Sequence, residues 1–440
     1  MSAELKKHYT TEYSAIKASL PGSALPWMKD ARDRALASFF ESGFPSPRQE
    51  EWRYTNIAPI ERKRFSAQPG PAQAIDSARL KQFQIEGAAS LVFVNGRFSS
   101  ELSVLPEFAP GLVVCSMTEA LENHADRVRE VFATVLKAEF NSFLAFNNAL
   151  FTDGAFVWVP KALKLAAPLH LLFVSTQADG LSTTRNLLIA EAGAQAEIIE
   201  SYVGFGESGY LSAAVSELQI ADHADITWSK LQCESDRGFH FGGLYANAGR
   251  YGRLRHANFS FGGLLVRNEV HVELSEASEC SLDGLFLSTG RRHVDNHTRI
   301  WHLLPRATSR EAYKGILDQR ARGVFQGRIV VDRDAQKTDA RMSNRNLLLS
   351  NDAEIDTKPQ LEIYADDVKC THGVTVGQLD EKSVFYLQSR GIDTDSARNM
   401  LTFAFANEMV DKVKLAALRS VIQNELLAAL PQTDIRKEWL

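Results

Sequence analysis

Cysteine is scarce: Cys115, Cys233, Cys280 and Cys370 are the only four in 440 residues, and no two form a CxxC pair. That excludes a disulfide scaffold and the spacing of a zinc ribbon. The chain starts Met-Ser-Ala-Glu-Leu-Lys-Lys-His, without the apolar core of a signal peptide, so reduced thiols and a cytosolic protein are expected. No apolar run approaches the roughly 18 residues that span a bilayer, so no membrane role is expected. An excess of one charge is lacking too: 49 Lys+Arg against 54 Asp+Glu leave a formal net charge of −5. That balance argues against a protein whose affinity rests on neutralising nucleic-acid phosphates. No GxxxxGK[ST] phosphate loop occurs, so any ATP chemistry must come from a partner. What is present is ordinary: 45% hydrophobic and 23% charged residues, values that exclude disordered and collagen-like chains. The length suits about three domains, or one long architecture with appendages.

Residues 1 to about 65 read as helical, with Leu5, Tyr13, Ile16 and Leu20 at helix spacing, a break at Pro21-Gly22 and a second helix from Trp27 to Ser42. A stiff loop, Gly43-Phe44-Pro45-Ser46-Pro47, leads into Arg48 to Thr55. Short apolar runs at Ser90–Asn95 and Leu112–Cys115 predict strands around an Asn95-Gly96 turn. Ser116 with Glu119 predicts a capping box opening one helix that runs to about Ala149. From about 155 to 375 helical periodicity gives way to strand-like runs, among them Phe156–Val159, Leu169–Val174, Ala196–Tyr202, Ile226–Leu231, Val270–Leu274 and Arg328–Val331. Turn clusters around Gly193, His223, Tyr251, Ala277, Ala307 and Ala335 lie roughly 26 to 30 residues apart, the spacing of a stacked architecture. Each unit is too short to bury its own apolar face, so successive turns must share a core. The expectation is a mainly β protein, a parallel β-helix with about two strands per turn, because the hairpin signals of a sandwich are sparse. Helix period returns after Gly391, with Thr394 or Asp395 as cap and a second run from Val413 to Leu430. The layout is 1–154 helical and mixed, 155–392 β-helix, 393–440 helical.

Four constellations carry chemistry or mimic it. Gly204-Phe205-Gly206-Glu207-Ser208-Gly209 is a literal GxGxxG, but a strand-like run follows where a dinucleotide fingerprint needs a helix, so it reads as a loop between strands. On a strand, His293, Asp295 and His297 point to one face, which could grip a transition metal; polar alternation on a solvent face or a subunit edge gives the same pattern. In Lys369-Cys370-Thr371-His372-Gly373, Cys370 and His372 share a face if extended. Lys369 beside the thiol is expected to lower its pKa and make it a better ligand or nucleophile. Two ligands do not complete an iron or zinc site, and a buried Cys with a hydrogen-bonded His is the alternative. Asp366, Asp367 and Asp380 could be imagined as an acid pair for glycoside chemistry, but their spacing favours solvated turns.

The run from Lys369 to Asp380, followed by Phe385-Tyr386-Leu387-Gln388-Ser389-Arg390-Gly391-Ile392, resembles the shared core of the SufB/SufD family of iron–sulfur cluster assembly proteins. The likeness extends upstream through Asp295–Thr298, Ser309–Leu317, Gly323–Gly327 and Asn344–Ser350. The stretch Arg48 to Asn56 resembles the N-terminal motif of the SufD branch, and Leu387 stands where SufB-like chains carry a cysteine. The resemblance implies a right-handed parallel β-helix with helical ends. It also implies a non-catalytic scaffold subunit in a complex with SufB and the SufC ATPase. SufB would pair through the β-helices, and SufC would act on helices at about 394–430. A transient iron–sulfur cluster would form at the SufB interface, facing His372 with Cys370 adjacent. Sulfur would come indirectly from a SufS/SufE-type donor, and reduced flavin would belong to the complex, with no cofactor expected in the isolated chain. A bacterial cytosol is the expected setting, and a homodimer is expected when SufB is absent. Two rivals remain: a β-helix enzyme acting on polysaccharide, and a stand-alone metal-binding homodimer using His293, Asp295 and His297.

Overall fold

The computed structural model describes residues 1–70, 75–134, 142–206 and 209–430. From Ala155 to Gly377 the chain winds as a parallel β-solenoid in which successive strands alternate between two sheets, one of ten strands and one of nine. Two strands per turn is therefore what forms. The strands predicted between 155 and 375 are present but longer: Ile226–Leu231 lies within Asp225–Cys233, and Val270–Leu274 within Leu265–Leu274, whereas Ser90–Asn95 and Leu112–Cys115 are shifted by one residue, to Ala89–Val94 and Val113–Ser116. Hydropathy alone misses part of each strand because polar residues such as Asn268 and Gln232 point into the interior.

The predicted turn clusters stack at one corner. Ala162, Gly193, His223, Tyr251, Ala277, Arg306 and Lys337 all have φ between 52° and 73°. Six of the seven are not glycine, and a left-handed residue with a Cβ costs roughly 1–2 kcal/mol. Each is held by a backbone bond to a neighbouring turn: His223 N–H to Arg250 at 2.9 Å, Tyr251 to Glu276 at 3.0 Å, Ala277 to Pro305 at 2.9 Å. The corner is thus enforced by its neighbours. Gly204 ends one strand and Leu211 starts another, so a strand and not a helix follows the GxGxxG motif, whose Glu207 and Ser208 lie outside the described residues.

The two ends of the solenoid differ. At the first, Ala89–Val94 pairs parallel with Leu169–Ser175 and antiparallel with Arg97–Val104 across the Asn95-Gly96 turn, whose positive φ values of 49° and 77° match a hairpin turn. Val113–Ser116 closes the other sheet by pairing antiparallel with Ala155–Val159. The solenoid therefore takes its first strands from the N-terminal segment. At the far end, Glu354–Ile363 and Lys369–Gly377 are the last strands of their sheets, the first half-buried and the second largely exposed.

Helices cover the outer faces. Ala3–Ile16, Pro26–Ser42 and Ser142–Leu150 bury Tyr9, Phe39 and Phe146 against Leu211, Phe239 and Leu265 of the nine-stranded sheet. Thr394–Val410 and Ala416–Ala429 bury Phe403, Met409, Ile422 and Leu426 against Phe259, Leu285 and Ile316 of the ten-stranded one. Asp393, rather than Thr394 or Asp395, caps the first of these by accepting from the Ser396 N–H at 2.9 Å. Ser116 does accept from Glu119 N–H, at 3.1 Å, but the single helix predicted to Ala149 is broken. Met117–Asn123 ends at His124, and Ala125–Val131 ends before Ala133, whose N–H donates to the buried Glu217 carboxylate at 3.1 Å. A tertiary bond thus overrides the local helical pattern, and the stretch 135–141 of that prediction lies outside the described residues.

Candidate functional site

The open end holds the Lys369-Cys370-Thr371-His372-Gly373 motif on its last strand, so the extended reading is correct. Cys370 packs against the solenoid core beside Ala340, its in-register neighbour. His372, two residues on, shares that face, lies in register with the buried Met342 and is exposed to solvent at the end. The expected lowering of the Cys370 pKa by Lys369 does not occur. Burial pushes the thiol up, and the negative charge of Asp339 adds to this against a bond from the Ala340 backbone. Strand alternation explains the difference, because Lys369 lies on the opposite face from Cys370. Around this end stand exposed apolar side chains: Ile363, Tyr364, Val376, and, on the helix Glu381–Gln388, Phe385 at 70% and Tyr386 at 58% exposure.

Asp380 is the N-cap of that helix, accepting from Lys382 and Ser383 backbone N–H groups. Asp367 pairs with Lys337, and Asp366 is exposed. None of the three faces another as an acid pair would.

His293, Asp295 and His297 do share one face of the strand His293–His302, and the cation they surround is Arg267. Arg267 lies in register with Asp295 one turn earlier, and Glu269 with His297. Its guanidinium donates to Asp295 Oδ2 at 2.6 Å, Glu269 Oε1 at 2.9 Å and the Glu51 carbonyl at 2.9 Å, and sits 3.7 Å from the centre of the Trp52 ring. His297 places Nε2 2.9 Å from Asp295 Oδ1 and Nδ1 3.5 Å from Glu51 Oε2. Thr55 donates its hydroxyl hydrogen to Asp295 Oδ2 at 2.5 Å. The Thr55 oxygen must then accept from His293 Nε2, 2.9 Å away, which fixes His293 as the Nε2–H tautomer.

Burial opposes every charge in this knot, yet the pairing prevails. Asp295 is held well below the usual carboxylate range, chiefly by His297 and Arg267 against that burial. His297 is raised, burial and Arg267 being outweighed by Asp295 and Glu51. Glu51 is lowered to about 2, first by its bond to His297. Among the described residues no three His, Cys, Asp or Glu side chains converge as a metal-ligating group. The knot's effect is mechanical: it clamps the segment Glu50–Thr55, with Gln326 donating to Glu51 at 2.8 Å and Lys358 pairing with Glu50 at 2.6 Å. Sequence reading missed Arg267 and Glu269. The signal was their distance of one solenoid turn from Asp295 and His297.

Residues 173–405 match the SufBD core domain of the SUF iron–sulfur cluster assembly system, and residues 3–171 match the SufBD N-terminal region. The chain is 34% identical over 391 residues to an iron–sulfur cluster assembly SufBD family protein of Synechocystis, covering 85% of each chain. It therefore belongs to the SufBD family of iron–sulfur cluster assembly proteins. Within that family it is SufD-like. It is 29% identical over 403 residues to the iron–sulfur cluster assembly protein SufD of Escherichia coli, covering 90% of this chain and 92% of that one. It is also 28% identical over 424 residues to the chloroplastic protein ABCI7 of Arabidopsis thaliana, covering 93% of this chain and 87% of that one.

Proposed function

We propose that this chain is a non-catalytic scaffold subunit that pairs end-on with a SufB-type β-helix and presents His372, with Cys370 beside it, to a nascent iron–sulfur cluster. The observation that carries the reading is the asymmetry of the solenoid. One end finishes in strands that pair antiparallel, Arg97–Val104 and Val113–Ser116, while the other ends in two parallel edge strands with an apolar rim and the exposed His372 face. An uncovered sheet end is a template for another β-structure, and a SufB-type partner would supply the ligands that Cys370 and His372 lack. In the absence of SufB the same end would pair with a second copy.

The helices Thr394–Val410 and Ala416–Ala429 are the proposed seat of a SufC-type ATPase. They are tied to the solenoid by Lys314, which donates to the Phe405 carbonyl at 2.7 Å and to Glu408 at 2.6 Å, so that force on the helices would reach the ten-stranded sheet. The cluster is cargo, its sulfur coming indirectly from a SufS/SufE-type donor and reduced flavin acting at the level of the assembly. The proposed setting is the bacterial cytosol; no described helix is long and apolar enough to cross a membrane.

The decisive experiment measures iron and acid-labile sulfide in the anaerobically purified complex, co-expressed with SufB, SufC and the sulfur donors as wild type and as His372→Ala. The expected result is an intact complex with a cluster in the wild type only. Equal cluster in both would remove His372 from the cluster site and leave the chemistry to SufB.

A further inference from the structure

A groove of about 650 Å3 lies on the outer face of the ten-stranded sheet, between its last strands and the turn that joins the two C-terminal helices. Its floor is built by register. Asp283, Ala312, Ser343 and Gly373 stand side by side on four successive strands, and they alternate outward from the buried Leu282, Glu311 and Met342. Three of the four are small, and a Cβ added at Gly373 would meet nothing, so the floor is low and open at that end. One column over, Ser281, Arg310, Arg341 and Thr371 form a wall. The helices cover Leu285, so Lys412 and Lys414 line the groove from the opposite side.

Cations dominate this groove, in a chain whose net charge is −5: Arg310, Arg341, Lys412 and Lys414 all line it. Two of them are satisfied within the chain. Lys412 donates to Asp283 at 2.5 Å, and Arg310 donates to Asp339 at 2.7 Å. Arg341 reaches that same Asp339 only at 3.6 Å, and the exposed Lys414 pairs with none of the described residues. Glu311 also borders the groove, but burial raises it to about 8, so it is uncharged at neutral pH. One exposed cation is ordinary, because water solvates it well. Here two face each other across a trough, with hydroxyl-bearing and small residues between them.

The geometry points to a docking trough for an extended acidic segment of the chain that covers the open end. The length fits: four strands about 4.8 Å apart give a floor about 14 Å long, the span of about four extended residues. A lone phosphate would fill little of the groove. Successive side chains of an extended segment point to opposite sides, so neighbouring carboxylates can reach Arg341 and Lys414 in turn. The direction fits too. Floor and wall end at Gly373 and Thr371, the two neighbours of His372 on the last strand, so a segment leaving the groove passes straight to the open end. That the segment belongs to the SufB-type partner rests on the reading above; that the groove takes an acidic peptide does not.

Binding is read first on the isolated full-length chain, by fluorescence anisotropy at low salt with a fluorescein-labelled peptide of alternating Glu and Gly. Arg341→Gln with Lys414→Gln is expected to weaken binding by about fivefold or more. Arg320→Gln with Arg322→Gln removes the same charge from exposed positions elsewhere and should leave binding unchanged. Ser343→Trp keeps every charge and fills the floor, and should weaken binding as the charge variant does. Wild-type binding by either groove variant overturns the proposal. Pyrophosphate displacing the peptide at concentrations below the peptide's own Kd overturns it in favour of a small anion. The partner is then read in the co-expressed complex with a water-soluble carbodiimide, which joins amines to carboxylates in contact. An amide link from Lys414 to an Asp or Glu of the SufB-type chain is expected. A link only to another subunit, or none, overturns the assignment of the segment to that partner. Neither result bears on the scaffold reading, which the His372→Ala cluster measurement tests separately.

Discussion

Arg267→Met removes the centre of the knot that holds the N-terminal segment on the solenoid. The thioether keeps most of the stem's length, but three donated bonds and the stack on Trp52 vanish together. Asp295, with its side chain 0% exposed, is left charged in the interior with only Thr55 and His297 as donors. Removing one member of such a buried pair costs about 3–5 kcal/mol, mostly the penalty of the abandoned charge. Thr55→Val takes away a single bond to that carboxylate and should cost only about 1.5–3 kcal/mol. Arg267→Met with Asp295→Leu removes both charges and should regain most of the loss, to within about 1–2 kcal/mol of wild type. Urea unfolding followed by tryptophan fluorescence, with Trp52 as one reporter, measures the global cost. Amide exchange at residues 50–55 shows whether the segment detaches before the solenoid melts. A single variant costing less than about 1 kcal/mol, or a double variant no better than the single, would refute the account of the knot.

The knot should also have a pH window. Glu51 is held at about 2 against an ordinary 4.5, so its contribution is complete above 4.5 and lost as pH falls toward 2; His297 is raised above 6.5, so its contribution is complete below 6.5 and lost as pH rises through its folded value. Protection of amides 50–55, corrected for intrinsic exchange, should therefore peak between those limits; a flat profile would count against the assigned pairings. Gly154→Ala should all but abolish soluble folded protein, because its Cβ would overlap the Arg185 carbonyl and neither backbone can yield. Ala277→Gly, at φ 52° in the corner ladder, should add about 0.5–1 kcal/mol of stability and raise the urea midpoint, the relief of the left-handed Cβ exceeding the added chain entropy. Phe385→Asp with Tyr386→Ser should leave melting unchanged, since both rings are solvent-exposed, yet abolish co-purification of the SufB-type partner; undiminished pairing would move the interface elsewhere.

The solenoid is legible in the order of residues alone, because small and turn-forming residues repeating at one-turn spacing are a local signal. So is the shared face of Cys370 and His372, because strand alternation has period two. The cap at Ser116 is equally local, but the length of the helix behind it is not, since Glu217 interrupts it from more than eighty residues away. What His293, Asp295 and His297 surround was settled by packing between distant segments. Their alignment was legible, but the identity of the cation depended on which residues lie one turn below and on where Glu51, Trp52 and Thr55 return from the N-terminal segment. Packing also set the state of the Cys370 thiol, where burial in the last turn prevails over a lysine on the opposite face. Polar residues such as Lys230, Asn258 and Asn344 look like surface positions in a linear reading. Only the in-register stacking of parallel turns puts them in one buried column, because register, unlike periodicity, is a relation between residues that are distant in the chain.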